Sequence, residues 1–323
     1  MSDIKKIQLV FPPSVVDGVG MEDCFIPNGI LCIAGYISKK FPDISIEILD
    51  GSIINIDEIL KQVEFGNADL VGISTLTGNY SNAKNILNLA KQKGAYTVIG
   101  NHHANYLYHL CNDINSEDLA DIDFIIEGIR GEYTFEKLIN ALIKETSFQN
   151  IQSLAYKDNG KLKTNLRRVQ YPPLRERTES DLSFIKDFTP YFKAYHKRFA
   201  EYHKDINNVR QININYVTGC LQGCVDACIY CCLKDHVIEF LNPVIFWEKI
   251  EKLINEDFNY FFETCNSLTS LDKISRRRNQ VKSYLYELVT TMPSSIKDKF
   301  QMMIYARANE INDITVEHLK RLN

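Results

Sequence analysis

Five of the nine cysteines fall in one run, GCLQGCVDACIYCC, between Cys220 and Cys232. One spacing stands out: Cys224-x3-Cys228-x2-Cys231, with Gly223 before the first thiol and Tyr230 before the last. Three closely spaced thiolates can hold a [4Fe-4S] cluster and leave one iron with an open coordination position. A register begun at Cys220 would need a cysteine where Ala227 stands, so Cys224, Cys228 and Cys231 are the expected cluster ligands. Cys220 and Cys232 are then spare thiols. A zinc-binding module, with four thiolates closing a tetrahedral site, is the competing chemistry, but it lacks paired C-x2-C knuckles. In a chain with no secretory pattern, clustered cysteines read as metal ligands before disulfides.

The elements around this run should position it. A strand pattern over Ile212–Val217 ends at Thr218-Gly219, immediately before the first cysteine. Beyond it the chain reads as helix (Pro243–Asn255), strand (Asn259–Phe262), helix (Asn279–Val289), strand (Met302–Ala306) and helix (Val316–Leu322). A β/α barrel reacts at the carboxyl ends of its strands, which makes Glu263, Thr264 and Arg307 candidates there. For Glu263 the alternative is a solvated strand end, and for Arg307 a surface ion pair. From residue 211 onward there is room for about three to four βα units. An incomplete barrel with an exposed strand edge is expected, and with it a truncated chain, a split gene or a partner that completes it.

The first half alternates differently. Ile7–Phe11, Ile44–Leu49, Leu70–Ile73, Tyr96–Ile99 and Ile122–Ile126 are short apolar runs of the kind buried on both sheet faces. Helical patterns separate them: Gly29–Lys40, Ile56–Phe65, Ser81–Lys93, Asn105–Cys111 and Tyr133–Lys144. The expected fold is α/β, a doubly wound parallel five-stranded sheet. Asn28 can cap the first helix and Gly94 close the third. Ligands of such sheets sit outside the carboxyl ends of the strands. Those loops carry Pro12-Pro13-Ser14, Asp50-Gly51-Ser52, Ser74 to Gly78, Gly100 to His103, and Glu127 to Glu132. Small residues there let the backbone approach a large flat ligand, although tight turns use the same residues. A phosphorylated receiver would need acidic loops, and a dinucleotide fold would need G-x-G-x-x-G after the first strand. Neither pattern is present.

Residues 146–210 break the alternation. Ser153–Tyr156 and Lys161–Asn165 around Asn159-Gly160 read as a small hairpin in an interdomain linker. The expected domains are thus residues 1–145, the linker 146–210, and a partial barrel over 211–323. With 323 residues, 45% hydrophobic and 24% charged, the composition is that of an ordinary globular chain. A net charge of −4 gives no electrostatic reason to expect nucleic acid, and no apolar run is long enough to span a membrane. A cytoplasmic location is expected, because the N-terminal apolar run is too short for a signal peptide.

Two sets of motifs carry a resemblance. FPPS, IPNGILCIAGYI, LVGISTLT, VIGNHHA and GEYTFEKL resemble, in order, the signatures of the cobalamin-binding domain found ahead of many radical S-adenosylmethionine (radical SAM) enzymes. C-x3-C-x2-C with an aromatic before the last cysteine resembles the cluster loop of the radical SAM superfamily. Together they imply a cobalamin-binding, flavodoxin-like sheet, an incomplete radical SAM β/α barrel, and three cofactors: a [4Fe-4S] cluster, S-adenosylmethionine and cobalamin. The resemblance places Ser74, Thr75, Gly100, His103, Gly131 and Glu132 on the corrin pocket, Tyr230 near the adenine, and Glu263 and Arg307 toward S-adenosylmethionine. There are departures: Asn101 stands where a second glycine is common, and Ile129-Arg130 precede Gly131-Glu132. The D-x-H-x-x-G loop of classical cobalamin mutases is absent.

The resemblance implies an enzyme that cleaves S-adenosylmethionine to a 5′-deoxyadenosyl radical, for methyl transfer from methylcobalamin to an unactivated carbon. It further implies a small-molecule or peptide substrate and an electron donor such as flavodoxin or ferredoxin. The alternatives are a non-catalytic cobalamin-binding remnant, or half of a split enzyme. A methylthiotransferase would need cluster cysteines at strand ends of the first domain, where Cys24, Cys32 and Cys111 do not fall.

Overall fold

The computed structural model describes residues 4–16, 19–21, 24–110, 119–128, 131–166, 179–218, 239–264, 268–269, 284–306 and 308–322. Cys220 to Cys232, Tyr230 and Arg307 lie outside these residues. The chain divides into two compact units, residues 1–171 with 178–194 and residues 172–177 with 195–323.

In the first unit, β1 (Lys6–Phe11), β4 (Ser45–Asp50), β5 (Leu70–Ser74), β6 (Tyr96–Gly100) and β7 (Phe124–Ile126) are the apolar runs, now parallel neighbours in the order β4-β1-β5-β6-β7. This order places the topological switch between β1 and β5, where the crossover direction reverses and a crevice opens at the carboxyl ends. Alternate side chains serve two separate cores. Val10, Val71, Ile73, Ile99 and Ile125 pack with α2 (Ile56–Gly66), α3 (Tyr80–Gln92) and α4 (Asn101–Leu110). Leu9, Phe11, Leu70, Val98, Phe124 and Ile126 pack with α1 (Asn28–Lys40) and α5 (Glu132–Lys144). Burial of this kind stabilises by about 1.5–3 kcal/mol for each large side chain fully withdrawn from water.

The sheet has seven strands where five were expected. The additional two are β8 (Leu154–Asp158) and β9 (Lys161–Thr164), the hairpin read as part of the linker. Asn159 and Gly160 both have positive φ, as a tight two-residue turn requires, and β8 pairs antiparallel with β7. Tyr156, Leu154 and Ala155 are buried, so hydrophobic contact with β7 and the helices outweighs the tendency of an isolated hairpin to remain separate. A second short hairpin, β2 (Ser14–Val16) with β3 (Val19–Met21), stands between β1 and α1. Asn28 does not cap α1: Pro27 occupies the cap position and Asn28 is the first helical residue. Gly94, with φ +82, does close α3. The helix α6 (Thr189–Phe199), inside the expected linker, begins where the Thr189 amide meets the Asp187 carboxylate at 2.8 Å.

The second unit holds a parallel sheet of β10 (Gln211–Ile214), β13 (Tyr260–Glu263) and β14 (Gln301–Ile304), in that order. The helices α7 (Pro243–Asn255), α8 (Tyr284–Thr291) and α9 (Asp313–Arg321) alternate with these strands. Pro243 at the first turn and an Asn242 side chain accepting from the Val244 amide start α7. Its apolar face buries Phe246, Trp247 and Ile250, and the Trp247 indole N–H donates to the Leu288 carbonyl at 2.9 Å. Among the described residues, no helix is long and apolar enough to cross a membrane.

Candidate functional site

In the first unit the crevice at the switch point is built by hydrogen bonds between loops. Asn79, fully buried in a single 3-10 turn after β5, accepts from the Leu76 amide at 2.7 Å. Its Nδ2 donates to the carbonyls of Pro12 at 3.2 Å and Ser74 at 3.3 Å, joining the loops that follow β1 and β5. Asn82 adds a bond to the Pro13 carbonyl at 2.9 Å. On the other side of β1, Gly51 lies so close to the chain that a β-carbon would come within 2.2 Å of the Pro13 nitrogen. These contacts fix three loop ends and leave no choice of residue at Gly51.

The next loop pair is tied as firmly. Thr75 is buried, and its amide and hydroxyl both donate to the Gly100 carbonyl, at 2.9 and 2.8 Å. The Thr75 carbonyl in turn accepts from the His103 amide at 3.0 Å. Ser74 Oγ accepts from Asn101 Nδ2 at 2.9 Å. Four of the six residues placed on a corrin pocket, Ser74, Thr75, Gly100 and His103, are therefore brought together. Gly131 and Glu132 are one strand farther along, opening α5 after β7. Glu132 is buried, and its charge is among the influences that hold the Tyr36 phenol protonated, after burial, Glu136 and Tyr133.

Asn101 takes the place of a second glycine and takes its conformation too, with φ +76. Asparagine is one of the few side chains that tolerate this region. The Asn101 side chain turns to Ser74 and to the His102 amide, 2.7 Å from Oδ1. Space remains above the rim. A β-carbon built at Gly100 or at Gly128 would meet nothing within 4 Å, and Gly128, with φ +111, is held by Asn105 at 2.9 Å. Burial pushes the imidazoles of both His102 and His103 below the usual histidine range, so both favour the neutral form. His103 packs face to ring with Tyr80 at 4.1 Å and with Tyr106 at 5.9 Å. The rim thus offers open backbone, small hydroxyls, amides and neutral imidazoles, a set suited to a large flat ligand with polar edges.

In the second unit the cysteine run leaves from β11 (Val217–Thr218) and returns into β12 (Glu239–Phe240). These two strands pair antiparallel, with Thr218 opposite Glu239, so the residues that flank the cysteine segment lie side by side. Tyr216 anchors both ends. Its carbonyl accepts from the Leu241 amide at 3.1 Å, and its amide donates to the Glu263 carboxylate at 3.0 Å. Glu263 is wholly buried at the end of β13 rather than solvated. Burial first, then the Glu263 charge, pushes the Tyr216 phenol well above its ordinary range. Cys224, Cys228, Cys231, Tyr230 and Arg307 lie outside the described residues. Among the described residues no group of three His, Cys, Asp or Glu side chains could hold a metal.

An open cavity of about 450 Å³ lies at the opposite, amino-terminal ends of β10, β13 and β14, between Asn208, Tyr260 and Lys299. Its lining residues have no part in the site described above.

These features define a doubly wound sheet of the cofactor-binding kind, followed in the same chain by a β/α unit in which the paired strands β11 and β12 flank the cysteine segment. Residues 16–139 match the family model of the B12 binding domain, so the first unit contains that domain. The whole chain has the fold of cobalamin-dependent radical SAM enzymes. It is similar to the cobalamin-dependent S-adenosylmethionine radical enzyme OxsB, solved with aqua-cobalamin and S-adenosylmethionine bound: TM-score 0.65, 16% identity, 99% of this chain and 42% of that one. It is also similar to the radical S-adenosylmethionine methyltransferase TsrM from Kitasatospora setae, solved with cobalamin and a [4Fe-4S] cluster: TM-score 0.66, 12% identity, 98% of this chain and 57% of that one. In sequence, 170 residues are 27% identical to the uncharacterized methyltransferase PH0819 of Pyrococcus horikoshii, covering 50% of this chain and 34% of the relative. The chain spans about a third to somewhat over half the length of these proteins.

Proposed function

We propose that this chain is the cobalamin- and cluster-binding part of a radical SAM enzyme, most simply a methyltransferase acting on an unactivated carbon. The observation that carries the reading is where the C-x3-C-x2-C segment falls in the chain: between the paired strands β11 and β12, just after the first parallel strand of a β/α unit, in a chain whose residues 16–139 match the B12 binding domain. When bound, cobalamin supplies a transferable methyl group, and a site-differentiated [4Fe-4S] cluster with S-adenosylmethionine supplies the one-electron chemistry that activates the substrate carbon.

The chain's own residues have separable tasks. Cys224, Cys228 and Cys231 hold the cluster as thiolates. Tyr230 is assigned to the adenine and Arg307 to the charged end of S-adenosylmethionine, as the resemblance implies. Glu263, through Tyr216, fixes the root of the cysteine loop. In the first unit, Ser74, Thr75, Gly100 and His103 form the floor of the corrin site, with Gly131 and Glu132 at its flank, and the bare backbone at Gly100 and Gly128 leaves the space the macrocycle needs.

Anaerobic reconstitution of the purified chain tests the reading. Charge-transfer absorbance of an iron-sulfur cluster, formation of 5′-deoxyadenosine from S-adenosylmethionine under reduction, and retention of cobalamin on gel filtration are expected. Stoichiometric zinc with no iron would overturn the cluster assignment. Cobalamin retention without a cluster would leave only a cobalamin-binding module.

A further inference from the structure

The dipeptide Asn-Gly occurs twice in the sequence, at Asn28-Gly29 and at Asn159-Gly160. A side-chain amide followed by glycine is open to attack by the next backbone nitrogen, because glycine puts no β-carbon in the path of approach. The fold treats the two copies in opposite ways. Asn28 opens α1, where helical dihedrals hold its backbone and its Oδ1 is withdrawn from water. Its amide donates to the Ile26 carbonyl at 2.8 Å, and Ile30 and Leu31 are buried immediately after it. Swinging the Gly29 nitrogen toward the Asn28 side chain would require unwinding that turn. Asn159 and Gly160 instead form the whole connection between β8 and β9, and both are exposed. Their backbones are left-handed, with φ +50 and +78, and a β-carbon built at Gly160 would meet nothing within 4 Å. The Asn159 Nδ2 donates to Asp158 Oδ1 at 3.1 Å, an exposed contact between neighbours. The outer strand β9 is bonded to β8 alone, so this tip is among the parts of the sheet that open at least cost.

We infer that Asn159 is a site of spontaneous deamidation in the folded chain, that Asn28 is protected from it, and that the change loosens β9. The Gly160 amide nitrogen attacks the Asn159 Cγ and gives up its proton to solvent base, and the side-chain nitrogen leaves as ammonia. The cyclic imide so formed is opened by water, at one carbonyl to aspartate and at the other to isoaspartate. Water is the only co-reactant and no electrons are transferred. Isoaspartate routes the backbone through the β-carbon and lengthens a turn that joins Asp158 directly opposite Lys161. Either product also replaces a donor to Asp158 with a second carboxylate, beside the carboxylate that pairs with Lys163. Both effects act against the register of β8 and β9. This inference is independent of the function proposed above.

The full chain is incubated in oxygen-18 water at mildly alkaline pH, folded or in urea, and its peptides are read by mass spectrometry. In the folded chain, oxygen-18 should enter the peptide carrying Asn159 severalfold faster than the peptide carrying Asn28. In urea the two should react at comparable rates, because the protection of Asn28 is a property of the fold. Aged folded chain should be cut by trypsin after Lys161 and Lys163 severalfold faster than fresh chain. Asn159→Gly, which keeps a pair suited to the turn, should abolish both the incorporation at this site and the change in cleavage. A folded chain that incorporates nothing at Asn159 while the unfolded chain does would overturn the inference, as would reaction of Asn28 at the rate of Asn159 in the folded chain. Equal cleavage of fresh and fully reacted chain would overturn the loosening of β9.

Discussion

Asn101 Nδ2 donates to Ser74 Oγ across 2.9 Å, and that bond joins the ends of two neighbouring parallel strands at the rim of the cofactor crevice. The residue does so from a left-handed backbone, at φ +76. Replacing it separates the two contributions. Asn101→Ala keeps a β-carbon in a disfavoured region and removes the bond, and should destabilise the first unit by about 1–2 kcal/mol. Asn101→Gly loses the bond but relieves the backbone, and should be close to neutral. Urea unfolding of the two variants side by side reads the difference.

Asn79 should be far less replaceable. It is wholly buried and serves Leu76, Pro12 and Ser74 together. Asn79→Ala leaves an amide and two carbonyls without their partner in a closed site, with an expected cost of about 3 kcal/mol. Loosening the loops after β1 and β5 should also weaken cobalamin retention, measured by equilibrium dialysis, beyond what Asn101→Ala does.

A pH prediction follows from Tyr191 and Asp50. The Tyr191 hydroxyl donates to the buried Asp50 carboxylate at the end of β4. Burial first, then the Asp50 charge, pushes the phenol far above its ordinary value of 10.0. A folded-state pKa above the unfolded one contributes stability that is fully present below pH 10 and is lost as pH rises beyond it. Thermal unfolding of the full chain should show an alkaline decline, and Tyr191→Phe should flatten it. At neutral pH the same variant should lose about 1–3 kcal/mol, because Asp50 is left with one hydrogen bond fewer.

The cysteine run makes a selective prediction. Cys224→Ala, Cys228→Ala and Cys231→Ala should each abolish the iron-sulfur absorbance of reconstituted protein. Cys220→Ala and Cys232→Ala should retain it within about twofold, as spare thiols would. Equal loss for Cys220→Ala and Cys224→Ala, with zinc bound to the unmodified protein, would point to the tetrahedral site instead.

Glu263→Ala should act on the loop rather than on the sheet. Without the carboxylate, the Tyr216 amide is buried with no acceptor. Cluster occupancy per chain should fall severalfold, while Glu263→Gln, which keeps an accepting oxygen, should recover most of it. Iron and sulfide analysis checks both.

The parallel strands were legible because each is a short apolar run buried on both faces. Ile7–Phe11 and Tyr96–Ile99 lie within β1 and β6 as observed. The last run was read too long. Ile122 is buried but belongs to a turn, and β7 begins only at Phe124, after Asp123 has turned its carboxylate to the Thr97 amide. The hairpin β8–β9 was legible as a hairpin from its Asn-Gly turn, but local alternation carries no information about which strand lies beside it. Only the burial of Leu154 and Ala155 against β7 decides that. Ser74, Thr75, Gly100 and His103 were found because loops at strand ends are where such sheets bind ligands. Asn79 was missed for the converse reason. One carboxamide in a polar turn resembles any other until the Pro12 and Ser74 carbonyls are seen to converge on it.

The outer strand β9 closes one border of the first sheet with Lys161 and Lys163 both exposed and the latter paired to Asp158. Any second chain seeking to add itself to that border would have to strip water from two ammonium groups in four residues. The first unit therefore carries its own protection against strand-by-strand aggregation at this border, and the two lysines are the residues to leave untouched when the protein is engineered for yield.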